Sequence, residues 1–248
     1  MEIKKREKLD IKKKIKKNDD MGLLTMNEIK NRIKKETNRN KREKYYFNLI
    51  ERYRMTYLNG KNYKIHSAIK KEEGENIRNL MKKYHLEKCI EVGMAFGISA
   101  SYILHTNKKA TLISIDPNQT SVNDWNSFGL KLIKELKFDN RHTLLEKKSY
   151  IALPELLEKN GMGSFDFVFI DGFHTFDYTL IDFFYADKLI KVGGIILVDD
   201  ILHKSVQQCI DYLNKNYLFY KRVPCYKTQA AYMKIREDDR SWNFHVDF

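Results

Sequence analysis

Cysteine, proline and long apolar runs are all scarce in this chain of 248 residues. Its three cysteines, Cys89, Cys209 and Cys225, stand far apart with no C-x-x-C pair, which argues against a disulfide framework or a zinc site. The longest apolar runs, such as GGIILV, fall far short of the roughly 20 residues that a bilayer span needs. No apolar segment follows the Lys-rich start, so the expectation is an intracellular, cytoplasmic chain with no secretory signal and no membrane partner. There is no internal repeat and no Gly/Pro/Ser linker. Oligomeric state is not legible.

Positive charge is abundant but uneven. Residues 1–60 hold 19 Lys and Arg against 9 Asp and Glu, which is +10 of the formal +13, and the other 188 residues carry only +3. The first 20 residues read as a frayed Lys-rich tract, residues 26–36 as a short basic helix, and residues 41–58 as a helix with a Tyr46, Leu49, Ile50, Tyr53, Tyr57 stripe. Asn59-Gly60 is the best boundary signal. The expected organisation is a basic, partly disordered and then helical extension over 1–60 and a larger domain over 61–248.

From residue 75 helical and strand patterns alternate. NIRNLMKKY reads as a helix, KCIEV as a strand, ISASYILH as a helix and ATLISI as a second strand. Helices near 126–137, 151–159, 178–190 and 204–215 then alternate with strands at TLLE, DFVFI and GIILV. Strands that are apolar throughout and separated by helices imply a parallel sheet covered on both faces. YLFYKRV and AAYMKI, joined by a short link with Pro224, read as an antiparallel hairpin at one edge. The expected class is α/β, a doubly wound, mostly parallel seven-stranded sheet with an antiparallel last strand.

In such a sheet ligands sit beyond the carboxyl ends of the strands, so the residues just after each strand carry the information. These are Glu91 to Gly97, Asp116, Ser149, Asp171 and Asp199-Asp200. Gly93 and Gly97 let the backbone turn tightly and approach a ligand, and the following helix offers free N–H groups. The stretch is not G-x-G-x-x-G, because Ala95 takes the middle place, and no phosphate-binding Lys-Ser/Thr pair follows. A dinucleotide or nucleoside triphosphate is thereby disfavoured. Asp116, 23 residues after Gly93, is placed to accept both hydroxyls of a ribose. A nucleoside ligand without a pyrophosphate fits best.

These residues resemble the Rossmann-like S-adenosylmethionine-dependent methyltransferases, in particular the catechol and sugar O-methyltransferase group, over roughly residues 66–235. EVGMAFGIS is similar to the family's loop for the methionine part of the cofactor, which implies Glu91, Gly93, Met94, Gly97 and Ser99. SIDP matches the ribose-binding acid, Asp116, and KKSYIALPEL resembles the segment by the adenine, which implies Ser149 and Tyr150. The most specific match is FDFVFIDGFHTFDYTLIDFFYADKLIKVGGIILVDD. In metal-dependent members its acids bind Mg²⁺, which implies Asp171, Asp199 and Asp200 here. His174 stands where catechol-type enzymes carry a Lys, and Asp200 where they carry an Asn.

The resemblance implies an O-methyltransferase acting on a hydroxyl of a small-molecule acceptor, a sugar or a vicinal diol or catechol. Converging carboxylates repel one another, and a hard cation removes that cost. His174 is the candidate general base, with Asp171 beside it as the second catalytic residue. Bland readings stand alongside: Asp171 as a turn cap with no metal, His174 as a structural hydrogen-bond partner, the glycines as a plain turn, and His203 as a polar loop residue. A second function also stands, an RNA methyltransferase or nucleic-acid-binding protein gripping phosphates through the basic extension. Against it, the (D/N)-P-P-(Y/F) signature of base N-methylation is absent.

Overall fold

The computed structural model describes residues 68–121 and 124–248, together with residues 31, 35 and 36. Apart from those three positions, the basic extension and its two expected helices lie outside the described residues. The described fold falls within the unit Ile65–Phe248.

Seven strands form one sheet: β1 (Lys88–Val92), β2 (Thr111–Ile115), β3 (His142–Leu145), β4 (Phe165–Ile170), β5 (Ile190–Val198), β6 (Tyr220–Val223) and β7 (Ala230–Lys234). Their order is β3-β2-β1-β4-β5-β7-β6. The first five strands pair in parallel, and β7 runs antiparallel to both β5 and β6. The doubly wound sheet with an antiparallel last strand is therefore the observed fold. The hairpin folds back inward, so the edge strand is β6. Ala230, Ala231 and Tyr232 of β7 are buried, whereas Lys221 and Arg222 of β6 face water and blunt the exposed edge.

Helices α1 (Lys71–Tyr84), α2 (Ile98–Thr106), α3 (Phe128–Glu135), α4 (Ser149–Asn160), α5 (Phe176–Leu189) and α6 (Lys204–Asn216) connect or precede the strands. In α6 the buried residues Val206, Cys209, Ile210 and Leu213 recur at helical spacing. Helix α1 starts one turn before its apolar pattern. That first turn is set by Glu73, whose Oε2 accepts the Lys70 N–H at 2.5 Å, and not by any apolar residue. Strand β4 is buried at every position, and its one acid, Asp166, accepts the N–H groups of Glu87 and Lys88 and pairs with Lys191. On one face of the sheet Ile90, Val168 and Ile196 pack with Leu153 of α4, Phe183 of α5 and Leu213 of α6. Among the described residues no helix is long and apolar enough to cross a membrane.

Candidate active site

The backbone ladder runs one step past each central strand. Gly93 N–H donates to the Ile115 carbonyl at 2.9 Å, Asp116 N–H to Leu145 at 3.1 Å, Asp171 N–H to Val92 at 2.9 Å and Asp199 N–H to Ile170 at 2.9 Å. Gly93, Asp116, Asp171 and Asp199 thus stand in a row along the carboxyl edge. Chain order reverses at β1, which pairs with β2 on one side and β4 on the other. A cavity of about 670 Å³ opens over that point, lined by residues after β1 to β5 and by the start of α1.

At its centre lies the glycine loop. Gly93 has φ of +89°, and a Cβ there would stand 2.0 Å from the Asp171 carbonyl oxygen, so a side chain is barred by both conformation and space. Gly97, at φ +74°, meets Gly129 across the loop in the same way, with 2.9 Å from its would-be Cβ to the Gly129 Cα. Met94 and Ser99 line the cavity. Glu91 does not: it is fully buried below the loop, where Oε2 accepts the Ser99 hydroxyl at 2.8 Å and Oε1 the Ser114 hydroxyl at 2.5 Å. Burial pushes its pKa up to about 7, although both hydroxyl donors pull the other way. Its place is that of a brace for the loop.

On the β2 side Asp116 is surrounded by donors. Oδ2 accepts the N–H groups of Met94 (3.2 Å) and Ala95 (2.8 Å) and the Gln119 amide (3.4 Å), while Oδ1 accepts the Asn118 N–H (2.9 Å) and the Trp125 indole N–H (3.2 Å). This carboxylate both faces the cavity and fixes the glycine loop. Beyond it Ser149, the first residue of α4, lines the cavity. Tyr150 does not: it is 40% exposed and packs edge-on against Tyr178 at 5.9 Å.

The β4 and β5 side is acidic. One ligand atom each from Asp171, His174 and Asp200 lies within 4.8 Å of the others. His174 Nε2 is 3.4 Å from Asp200 Oδ2, and the His203 ring stacks on His174 at 5.4 Å. Asp200 adopts φ of 54°, the left-handed region that Asp tolerates better than most residues. Asp199 stands outside this triad. Its Oδ1 accepts the Asp200 N–H at 2.8 Å and its Oδ2 the Gln229 amide at 3.2 Å. Burial raises Asp171 well above the carboxylate range, and the neighbouring Asp199, Asp200, Glu73 and Glu91 raise it further. Asp199 is raised to about 7, by burial first and then by Glu73. His174 is lowered by burial, with His203 adding to that and Asp200 opposing it.

Glu73 in the cavity wall and Gln229 behind it carry no mark in the sequence. Glu73 reaches the acidic end from α1, where its Oε1 accepts the Thr228 hydroxyl at 2.7 Å. Gln229 bridges Asn76 of α1 to Asp199. His203, Phe173 and Tyr178 also line the cavity. Only packing brings α1 and the β6–β7 turn here, so spacing along the chain gives no clue to Glu73 or Gln229.

Residues 90–201 match the family model described as a methyltransferase domain. A probable caffeoyl-CoA O-methyltransferase 3 of Dictyostelium discoideum is 31% identical over 126 residues, which are 50% of this chain and 47% of that protein. The chain spans about half the length of the curated relatives it matches. Among solved structures, an O-methyltransferase from Bacillus cereus in complex with SAH superposes with a TM-score of 0.59 at 13% identity, covering 76% of this chain and 90% of that one. The O-methyltransferase TomG from Streptomyces achromogenes, in complex with SAM, gives 0.61 at 15% identity, with 77% and 90% covered. Residues 90–201 are thus similar to a methyltransferase domain, on a seven-stranded sheet that has the Rossmann-like fold of these solved O-methyltransferases.

Proposed function

We propose that this chain transfers a methyl group from S-adenosylmethionine to a hydroxyl oxygen of a small-molecule acceptor, a sugar or a vicinal diol or catechol. One observation carries the reading: a single cavity has the donor-ringed Asp116 on one side of the glycine loop and the Asp171, His174, Asp200 triad on the other. A nucleoside donor fits the first side, where Gly93, Met94, Asp116 and Ser149 line the cavity. Its reactive carbon then points toward the triad, so the acceptor oxygen must be held there. The exposed Phe173 and the Tyr178 ring, 5.1 Å apart, offer an apolar wall for the rest of the acceptor.

His174 is the proposed general base. Its lowered pKa keeps the imidazole neutral near pH 7, the form that accepts a proton from a hydroxyl. The carboxylate oxygens beside it are a hard donor set and fit a divalent cation such as Mg²⁺. Asp171 and Asp200 would hold the ion, and Asp199 would join them on giving up Gln229. When bound, the ion neutralises these carboxylates and lowers the pKa of acceptor hydroxyls. Chemistry follows from placement: the sulfonium methyl is already electrophilic, so aligning the oxygen and removing its proton suffice. A transfer screen with labelled S-adenosylmethionine against sugars, catechols and RNA, with and without Mg²⁺, tests this. Label should enter a sugar or catechol; label in RNA alone would overturn the reading.

A further inference from the structure

The segment after β7 takes no part in the sheet, yet it returns to the neighbourhood of the site. Strand β7 is antiparallel to β5, with Ala230 opposite Val198 and Met233 opposite Ile195, so it runs away from the edge where Asp199 and Asp200 stand. The chain then doubles back along α6. Arg240 donates to the Asn216 carbonyl at 3.1 Å and lays its guanidinium over the Tyr217 ring, 4.2 Å from the centroid. The Asn216 side chain, on a residue only 1% exposed, holds Val246 at two points: Oδ1 accepts its N–H at 2.9 Å and Nδ2 donates to its carbonyl at 2.8 Å. Residues 240 and 246 are thereby anchored. Two residues on, the Phe248 ring lies 5.0 Å from Tyr212 of α6 and 6.1 Å from Phe176, in the second case with planes 4° from parallel. Phe176 is the first residue of α5.

What precedes Phe176 gives the contact its meaning. Asp171 and His174 belong to the loop between β4 and α5, and the His174 carbonyl accepts the Ser205 hydroxyl of α6 at 2.5 Å. That is one tie. The loop's own apolar residue, Phe173, is 65% exposed and adds little hold on the core. A second tie to α6 runs from Phe176 through the Phe248 ring to Tyr212, and two separated ties stop a loop from pivoting where one does not. Placement matters here, because a shift of about 1 Å in a reacting group can cost roughly 100-fold in rate.

We infer that Phe248 is a positioning residue for methyl transfer: wedged between α5 and α6, it holds the loop of Asp171 and His174 in register with the cavity. This rests on the reading of His174 as the base. The test measures transfer to catechol, or to whichever sugar takes label in the screen above, together with hydrogen exchange by mass spectrometry. Phe248→Ala should lower kcat roughly 10-fold with the KM for S-adenosylmethionine within about 2-fold, because the glycine-loop side is untouched. The Thr175 and Thr179 amides, which donate to the Phe173 and Thr175 carbonyls, should exchange about 3-fold faster or more, while the peptide over 92–100 keeps its rate. Phe248→Tyr, which keeps the ring, should restore both readouts, and Trp242→Ala, 96% exposed in the same segment, should move neither. Faster exchange in both peptides, or a loss of rate with loop exchange unchanged, would make Phe248 a plain packing residue and overturn the inference. An unchanged kcat in Phe248→Ala overturns it too. Phe248→Leu covers the case in which the alanine variant does not fold, and it should give the same split between kcat and KM. No transfer by the unmodified chain would instead remove the reading of function on which the inference stands.

Discussion

The two flanks of the glycine loop hold carboxylates in opposite surroundings, Asp116 buried on one and Asp171 half-buried on the other. Asp116 accepts from five N–H donors, whereas Asp171 faces Asp199, Asp200, Glu73 and Glu91, all of which raise its pKa. The first flank is complete within the protein, and a ligand adds to a network already formed. The second is a set of repelling acids that protons or a cation must relieve. On the proposed function, binding and chemistry would be separated along one strand-end row: the donor-ringed flank suits holding a methyl donor, and the acidic one suits charge-dependent work on an acceptor.

The largest effects should come from the acidic flank. Asp171→Ala is expected to lower transfer on the order of 1,000-fold while leaving S-adenosylhomocysteine affinity within a few-fold. Mg²⁺ should raise the melting temperature of the unmodified chain by linkage and should have no such effect on this variant. An equal response in both would place any cation elsewhere. His174→Ala should slow turnover roughly 100-fold, with partial rescue at higher pH, and full activity would exclude it as the base.

On the completed flank the expected change is in binding. Asp116→Ala removes an acceptor for ribose and also releases the Met94 and Ala95 N–H groups, so the Kd for S-adenosylhomocysteine should rise roughly 100-fold. An unchanged Kd in calorimetry would move the ribose site away from Asp116.

Glu91, under the loop, gives a smaller, pH-dependent signature. Its folded pKa of about 7 lies above its ordinary value of 4.5, so the folded state holds this proton more tightly than the unfolded chain. The stability it contributes is complete below about pH 4.5 and is lost as pH rises through 7. Glu91→Gln keeps the shape without the titration, so its melting temperature should gain on that of the unmodified chain between pH 5 and pH 8. Parallel curves for the two proteins would show that Glu91 does not titrate in this range. The smallest effect is expected from removing residues 1–40, which should leave cofactor affinity unchanged and abolish any salt-sensitive RNA binding. Retained RNA affinity would show that the basic tract is not the nucleic-acid site.

Much of this architecture is legible in the chain. The apolar runs KCIEV, TLISI, FDFVFI and GIILV alternate with helical periods, and burial on both faces leaves a parallel sheet as the economical arrangement. Because ligands gather at the carboxyl edge of such a sheet, Gly93, Asp116, Ser149, Asp171 and Asp200 could be picked as cavity residues from their place just after strands. Tyr150 could not be separated from Ser149, since adjacent residues at a helix start point in different directions and only the packing of α4 on α5 turns one inward.

What the sequence determined by itself was the set of chemical groups along the strand-end row and the fold that lines them up, because both follow from local periodicity and chain order. Tertiary structure alone decided which groups meet. It drew Asp199 to Gln229, placed His174 beside Asp200, buried Glu91 beneath its loop and brought Glu73 across from α1. Those outcomes depend on hydrogen-bond partners and burial supplied by segments as much as 155 residues away along the chain, and no local pattern encodes such distances.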